Sequence, residues 1–354
     1  MSLPTESIGS IPRPPQLHEA LREFRAGRLS KQTLDGFYDD ALLDTIRRFE
    51  ETGSPVIGDG EQTKSSFATY PLEGLSNIQP DGVVIAFADG HTRQLPRLTA
   101  GPFRYGIHAE RYVKAARRYA TRPLKQAVIS ASALSLIYPS EGIEGYDRET
   151  FLNDLVAETV ADIRGCLDAG ALHVQIDFTE GRLAVKLDPS KQLLGQFIAL
   201  NNRVLGHFSP EERTRIGVHT CPGGDHDSTH SAEVDYADLL PSLFQLKAGN
   251  FYMQLASEKN PDRVLGIVRE HILPGKRVYV GVIDVLNPEI EEPELVRDRI
   301  LRAAEYIPLN QLGSTDDCGF SPFEDDTSTG RDTAFAKIRA RVIGAELAAK
   351  ALKR

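Results

Sequence analysis

Arg215-Ile216-Gly217-Val218-His219-Thr220-Cys221 is the stretch on which the fold turns. Its apolar run is short and lacks polar alternation, which reads as a strand buried on both faces. Such strands belong to parallel sheets covered by helices. The run stops abruptly at an imidazole and a thiol. Working outward, seven further runs share its character: Ser7-Ile8-Gly9-Ser10, Pro55-Val56-Ile57-Gly58, Gln126-Ala127-Val128-Ile129, His173-Val174-Gln175-Ile176, Asn250-Phe251-Tyr252-Met253, Val278 to Ile283, and Leu309-Asn310-Gln311-Leu312. Amphipathic stretches lie between them, at Lys31 to Thr52, Ala109 to Thr121, Arg148 to Ala169, Tyr236 to Leu246, Pro261 to His271 and Pro293 to Ile307. Pro and Gly punctuate their ends. Eight strand-and-helix units in 354 residues predict an α/β protein, a (β/α)8 TIM barrel.

The residues that close the runs support this reading. In order they are Ser10, Asp59 with Glu61, Ser130, Asp177, His219 with Cys221, Gln254, Asp284, and Asp317 with Cys318. A barrel gathers these strand ends on one face, where active sites lie. A strand that ends in a polar turn is ordinary; the whole set, with its acids, imidazole and thiols, is not. The interval after Asp59 is longer than the others. Within it Val83 to Phe87, Asp89-Gly90 and Arg93 to Leu95 read as a β-hairpin. We expect one catalytic domain over residues 1–354, with about 65–105 inserted after the second strand, either as a flap over the active-site face or as cover for a barrel end.

Composition excludes several classes. The net charge of -9 argues against a nucleic acid or an anionic membrane as the main partner. An apolar content of 41% is enough for a large core. The uncharged run Gln126 to Ser140 is too short and too serine-rich to span a bilayer. No basic segment followed by an apolar one opens the chain at Met1 to Glu6, so no signal peptide is expected. Three cysteines make no disulfide framework. A soluble cytoplasmic protein is expected.

Two thiols and an imidazole at strand ends are what a catalytic zinc needs, because three protein ligands leave a position open for substrate. Cys221 and Cys318 sit beside Pro, Gly and Asp at strand exits, whereas Cys166 lies on a helix and reads as a small core hydrophobe. A second grouping is open at this stage: His219, Cys221, His226 and His230 form a local cluster that needs no Cys318. Either site suits thiol chemistry. A free thiol is only partly ionised at neutral pH, and coordination to zinc deprotonates it.

Five motifs in order then carry a resemblance: Ile8-Gly9-Ser10, Asp59-Gly60-Glu61, Val174-Gln175-Ile176-Asp177, His219-Thr220-Cys221 and Asp317-Cys318-Gly319. With them the chain resembles the C-terminal catalytic barrel of cobalamin-independent methionine synthase and its short single-barrel relatives, from Ile8 to about Leu347. The chain opens almost at the first barrel strand, so no counterpart of the synthase's N-terminal domain is expected. The resemblance implies zinc on His219, Cys221 and Cys318. The family's glutamate ligand falls at Gln254, a neutral and weaker donor, with water or Glu258 as alternatives. It implies that Ser10 binds the homocysteine carboxylate and that Glu61 and Asp177 bind its ammonium. The alternative roles are structural ion pairs, Glu61 with Lys64 and Asp177 with Arg182. Leu286 stands where the full-length synthase has a proton-moving histidine, and Asp284 beside it is the candidate for handling that proton or orienting the donor. The chain has no tryptophan, and Tyr138 is the candidate to stack the pterin in its place.

The implied activity is zinc-dependent homocysteine S-methylation, with a methyl-folate or methyl-corrinoid donor. Competing readings keep the zinc and open an epoxide with a thiol, or keep binding and lose turnover. A metal-independent barrel of the porphyrinogen decarboxylase type is disfavoured by the two cysteines.

Overall fold

In the computed structural model, which describes residues 3–353, six strands form one parallel sheet. Met1 and Ser2, part of the opening stretch read above, lie outside the described residues. The strands are β1 (Lys125–Ile129), β2 (His173–Asp177), β3 (Ile216–Thr220), β4 (Asn250–Met253), β5 (Arg277–Ile283) and β6 (Leu312–Asp316). Each pairs in parallel with its neighbour in sequence. Parallel neighbours need a crossover, and helices supply it. They are Arg148–Asp168, Gln192–Leu205, Tyr236–Leu243, Pro261–His271 and Pro293–Ala304, with Arg331–Ala351 following β6. Side-chain N-caps fix two helix starts: Asp147 accepts from Thr150 N–H and Asn260 from Arg263 N–H.

Both edges of the sheet are occupied. Thr5 bridges Ser314 of β6 in parallel, and Ile57 bridges Leu124 ahead of β1. These two segments meet each other where Ile11 N–H donates to the Gly60 carbonyl at 3.0 Å. The first expected strand, Ser7 to Ser10, is irregular, the bridge lying ahead of it at Thr5, and the second is a single bridge at Ile57; Gly9, Pro12, Gly58 and the Asp59-Gly60-Glu61 turn interrupt longer pairing. The last expected strand is displaced. Leu309 to Gln311 form a turn closed by Gln311 N–H on the Pro308 carbonyl, and β6 begins at Leu312. Its polar half, Ser314-Thr315-Asp316, is fully buried and did not read as strand. The expected helix from Ala109 is shorter, Glu110–Ala116. Helices at Pro15–Arg25, Glu180–Leu187, Gln192–Leu205 and Arg331–Ala351 were not anticipated. The hairpin is present, with Val84–Ala86 antiparallel to Thr92–Gln94.

The interior is not purely apolar. Glu6, nearly unexposed, accepts from Tyr252 Oη (2.7 Å), Tyr279 Oη (3.0 Å) and His173 Nδ1 (2.8 Å), with Lys125 Nζ at 3.8 Å. Burial alone would raise its pKa, but His173, Lys125 and Tyr252 together outweigh burial and hold it at about 2. A depressed carboxylate stabilises the fold above its unfolded pKa near 4.5, and this is lost as pH falls toward about 2. The lost contribution is roughly 3 kcal/mol. Glu6→Gln is expected to lower stability at pH 7 and flatten the acid limb between pH 5 and 2. Urea unfolding at a series of pH values checks this; parallel limbs for the two proteins would refute it.

Candidate metal centre

The C-terminal ends of the six strands lie together, and they present the residues expected from the sequence. Asp177 ends β2 directly opposite His219 of β3. Met253 pairs with Thr220, which sets Gln254 beside Cys221. Asp317 and Cys318 follow β6, and Asp284 follows β5.

His219, Cys221 and Cys318 converge, with one ligand atom from each lying within 4.8 Å of the others. The two sulfurs are 3.3 Å apart. A tetrahedral zinc with sulfurs at about 2.3 Å would hold them roughly 3.7 Å apart, so little movement is needed. His219 Nδ1 faces the Tyr252 carbonyl at 3.3 Å, which leaves Nε2 as the ligand atom. That Nε2 is buried with no hydrogen-bond partner. An orphaned imidazole nitrogen beside two thiols fits a soft divalent cation. Within the thiol pair, the Cys318 S–H holds the Cys221 thiol well below its usual pKa, with His219 adding to this against burial. Cys318 is pushed up correspondingly.

The local alternative is not what the structure assembles. His226 is half-exposed and contacts Arg93, and His230 Nδ1 meets Ser231 Oγ at 2.6 Å. Burial lowers the His230 pKa to about 4, so it is neutral. Glu258 is also engaged elsewhere, in an ion pair with Arg182. Cys166 is buried in the core as expected.

Ser10, Glu61, Asp177, His219 and Cys318 line one narrow cavity. Gly319 permits this, since a Cβ there would come within 2.1 Å of Ser10 Oγ. Ser10 Oγ accepts from Ser321 N–H, so its own proton is free to donate. Glu61 sits at φ +56°, in a turn whose N–H donates to Asp59 Oδ1. Its carboxylate accepts from Lys64 Nζ at 3.2 Å, so the structural ion pair is present. Asp177 does not pair with Arg182; it accepts from Gln175 Nε2 at 2.7 Å. Burial raises the Asp177 pKa to about 6, His219 opposes this, and Glu61 adds to it. Lys64 pairs with Glu61, while Asp177 is held by the neutral Gln175 amide, which leaves a negative surplus suited to an ammonium group.

Asp284 stands at an adjoining small cavity with Gln254, Leu286 and Cys318, and its Oδ1 accepts from Leu286 N–H. Tyr138 is not brought to the site. Its ring stacks on Phe151 at 5.2 Å, and its hydroxyl donates to the Tyr146 carbonyl at 2.8 Å. Its hydroxyl is taken up by the loop that follows it and its ring by the helix beyond.

A larger cavity of about 340 Å³ adjoins the first, sharing Phe67, Thr179, Gly223 and Gly224. The hairpin supplies part of its wall through Ile85, Phe87 and Leu95. Arg93 and His91 latch that hairpin to Asp225, in the loop after Cys221. Glu180, which the sequence reading missed, also lines this cavity. Ser130 and Ser132 donate to its Oε1, while Oε2 is buried without a partner. Burial raises its pKa to about 7. The signal was an acid three residues beyond Asp177.

Comparison with known proteins matches this arrangement. A family model described as the cobalamin-independent synthase catalytic domain matches residues 3–339. The methionine synthase of Saccharolobus solfataricus is 22% identical over 354 residues, 99% of this chain and 96% of the relative. That of Sulfolobus acidocaldarius is 25% identical over 334 residues, 90% of this chain and 85% of the relative. A B12-independent methionine synthase from Shewanella sp. W3-18-1, solved in complex with selenomethionine, superposes with a TM-score of 0.76 at 21% identity, covering 100% of this chain and 99% of that one. A family match across nearly the whole chain, over a fold of the same kind, places this protein in the cobalamin-independent synthase catalytic-domain family.

Proposed function

We propose that this protein is a zinc-dependent methyltransferase that methylates the thiol of homocysteine to form methionine. The observation that carries the reading is the convergence of the His219, Cys221 and Cys318 donors, two of which, His219 and Cys318, line one cavity with Ser10, Glu61 and Asp177. His219, Cys221 and Cys318 would hold the zinc, which would supply the positive charge that keeps the substrate thiol ionised at neutral pH. Glu61 and Asp177 hold the ammonium, and the Ser10 hydroxyl donates to the carboxylate. The amino-acid end is thereby fixed and the thiol is delivered to the metal side of the cavity. An epoxide-opening transferase is disfavoured, because a thiol lacking an amino group would leave the surplus negative charge of the two buried acids uncompensated.

The adjoining cavity supports a donor of the methyltetrahydrofolate type. Its volume of about 340 Å³ lies at the small end of the usual range for enclosed ligands, roughly 300–1,000 Å³, and is too small for a corrinoid macrocycle. Phe67, Phe87 and Phe323 offer apolar walls, and Arg25 lines the cavity paired with Glu324. The free oxygen of Glu180 is placed to donate a hydrogen bond to a ring nitrogen, and Asp284 stands on the other side of the metal donors. Burial holds the Glu180 proton up to about pH 7, and it is lost as pH rises further. Donor KM is therefore expected to rise above pH 7. Glu180→Gln keeps a donor at every pH and is expected to remove that rise; an unchanged pH profile would contradict the assignment.

The same reading treats the six strands and the two edge bridges as a closed (β/α)8 barrel. Residues 1–354 form one domain, and about 65–105 form the insertion that carries the hairpin. The deciding experiment is zinc-edge X-ray absorption with and without homocysteine, followed by assay with 5-methyltetrahydrofolate. About two sulfurs per zinc rising to three, with methionine formed, is the expected result. An unchanged sulfur count, or no turnover with the zinc-loaded protein, overturns it.

A further inference from the structure

Gln254 leaves β4 with its side chain buried, and its two polar atoms have very different surroundings. Nε2 donates to Ser257 Oγ at 2.6 Å. Ser257 Oγ donates to Asp317 Oδ2, also at 2.6 Å. A hydroxyl has one proton, so Ser257, once committed to Asp317, can only accept from the amide. This fixes the amide with nitrogen toward Ser257 and leaves Oε1 over. That oxygen is buried and has no partner.

Asp317 is itself held rigidly. Leu255 N–H and Ala256 N–H donate to its Oδ1 at 2.9 Å, and Ser257 N–H to its Oδ2 at 2.8 Å. Gly281 of β5 makes the room, since a Cβ there would lie 1.9 Å from Asp317 Oδ1. The whole turn after β4 is thus wrapped on a carboxylate adjacent in sequence to Cys318. Gln254, Ser257, Asp317 and Cys318 line a common cavity.

We infer that Asp317 and Ser257 are positioning residues that present the Gln254 amide oxygen to the metal as a neutral fourth donor. The inference rests on the zinc reading above. Orientation matters because glutamine has one accepting end and one donating end. A carboxylate has two accepting oxygens and would need no such control.

The test is zinc affinity of the full-length protein, measured by competition with a chromophoric chelator. Loss of an outer hydrogen bond to a ligand costs about tenfold in affinity or more. Ser257→Ala is expected to weaken zinc by about tenfold in the Gln254 protein, but by no more than about twofold in a Gln254→Glu background. Ser257→Thr, which keeps the hydroxyl, is expected to retain the original affinity. Equal losses in both backgrounds, or a threonine variant as weak as alanine, would mean that Ser257 only supports the turn, and would overturn the inference. His219→Ala separates the two levels: if it keeps its zinc, the metal assignment itself fails, whatever Ser257 does.

Discussion

Cys221→Ser is expected to release zinc and to slow homocysteine methylation by roughly a thousandfold, corresponding to the several kcal/mol that a metal contributes to stabilising developing charge. Serine is a poor ligand for a soft cation, and its alcohol does not ionise at neutral pH. His219 and Cys318 then remain of the trio, with only the neutral Gln254 oxygen to assist them. The substrate thiol must ionise unaided, and only a small fraction does so near pH 7. The loss should appear in kcat, with homocysteine binding weakened less, because Ser10, Glu61 and Asp177 are untouched. Zinc content by atomic absorption and initial rates with both substrates decide it. A zinc-free variant of full activity would remove the metal from the mechanism.

The largest stability effect is expected at an ion pair that lines none of the cavities described. Arg341 of the last helix is fully buried, with NH1 3.1 Å from Asp316 Oδ2 and NH2 2.8 Å from Ser7 Oγ. Burial lowers the arginine's pKa, against the pull of Asp316, and burial raises that of Asp316, against Arg341. Removing one member of such a pair strands the other charge in the core, at a cost of about 3–5 kcal/mol. Asp316→Ala should therefore lower the urea midpoint far more than the paired change Asp316→Leu with Arg341→Met, which removes both charges. If the single and double variants unfold alike, the pair carries no such cost. The effect concentrates where the N-terminal segment, β6 and the last helix meet.

The sequence and the structure agree most closely where chemistry and strand ending coincide. His219, Cys221, Cys318, Asp177 and Glu61 were legible because polar or metal-binding side chains closed apolar runs, and a parallel sheet brings such ends together. β6 was displaced because Ser314, Thr315 and Asp316 are polar yet fully buried, which defeats any reading from hydropathy. Ser7 to Ser10 and Pro55 to Gly58 were over-read as full strands, since an irregular segment beside a single bridge leaves the same apolar trace as a strand. Tyr138 was misplaced for a different reason. An aromatic in a loop after a strand reads the same whether it faces the site or, as here, packs on Phe151. Glu180 and the Asp317–Ser257–Gln254 relay were invisible because their roles depend on which atoms lack partners, a property only the packed structure has.

Cys221 and Cys318 stand 97 residues apart in the chain, although their sulfurs touch. During synthesis, His219 and Cys221 emerge long before their third companion, and two donors make a weak grip on any cation. The complete trio exists only after the later strands have been made and β6 has docked. Metal capture is therefore among the last events of maturation, and a truncated or misassembled chain cannot retain the ion that a finished one holds. Occupancy of the site becomes a certificate that the chain has folded through to β6.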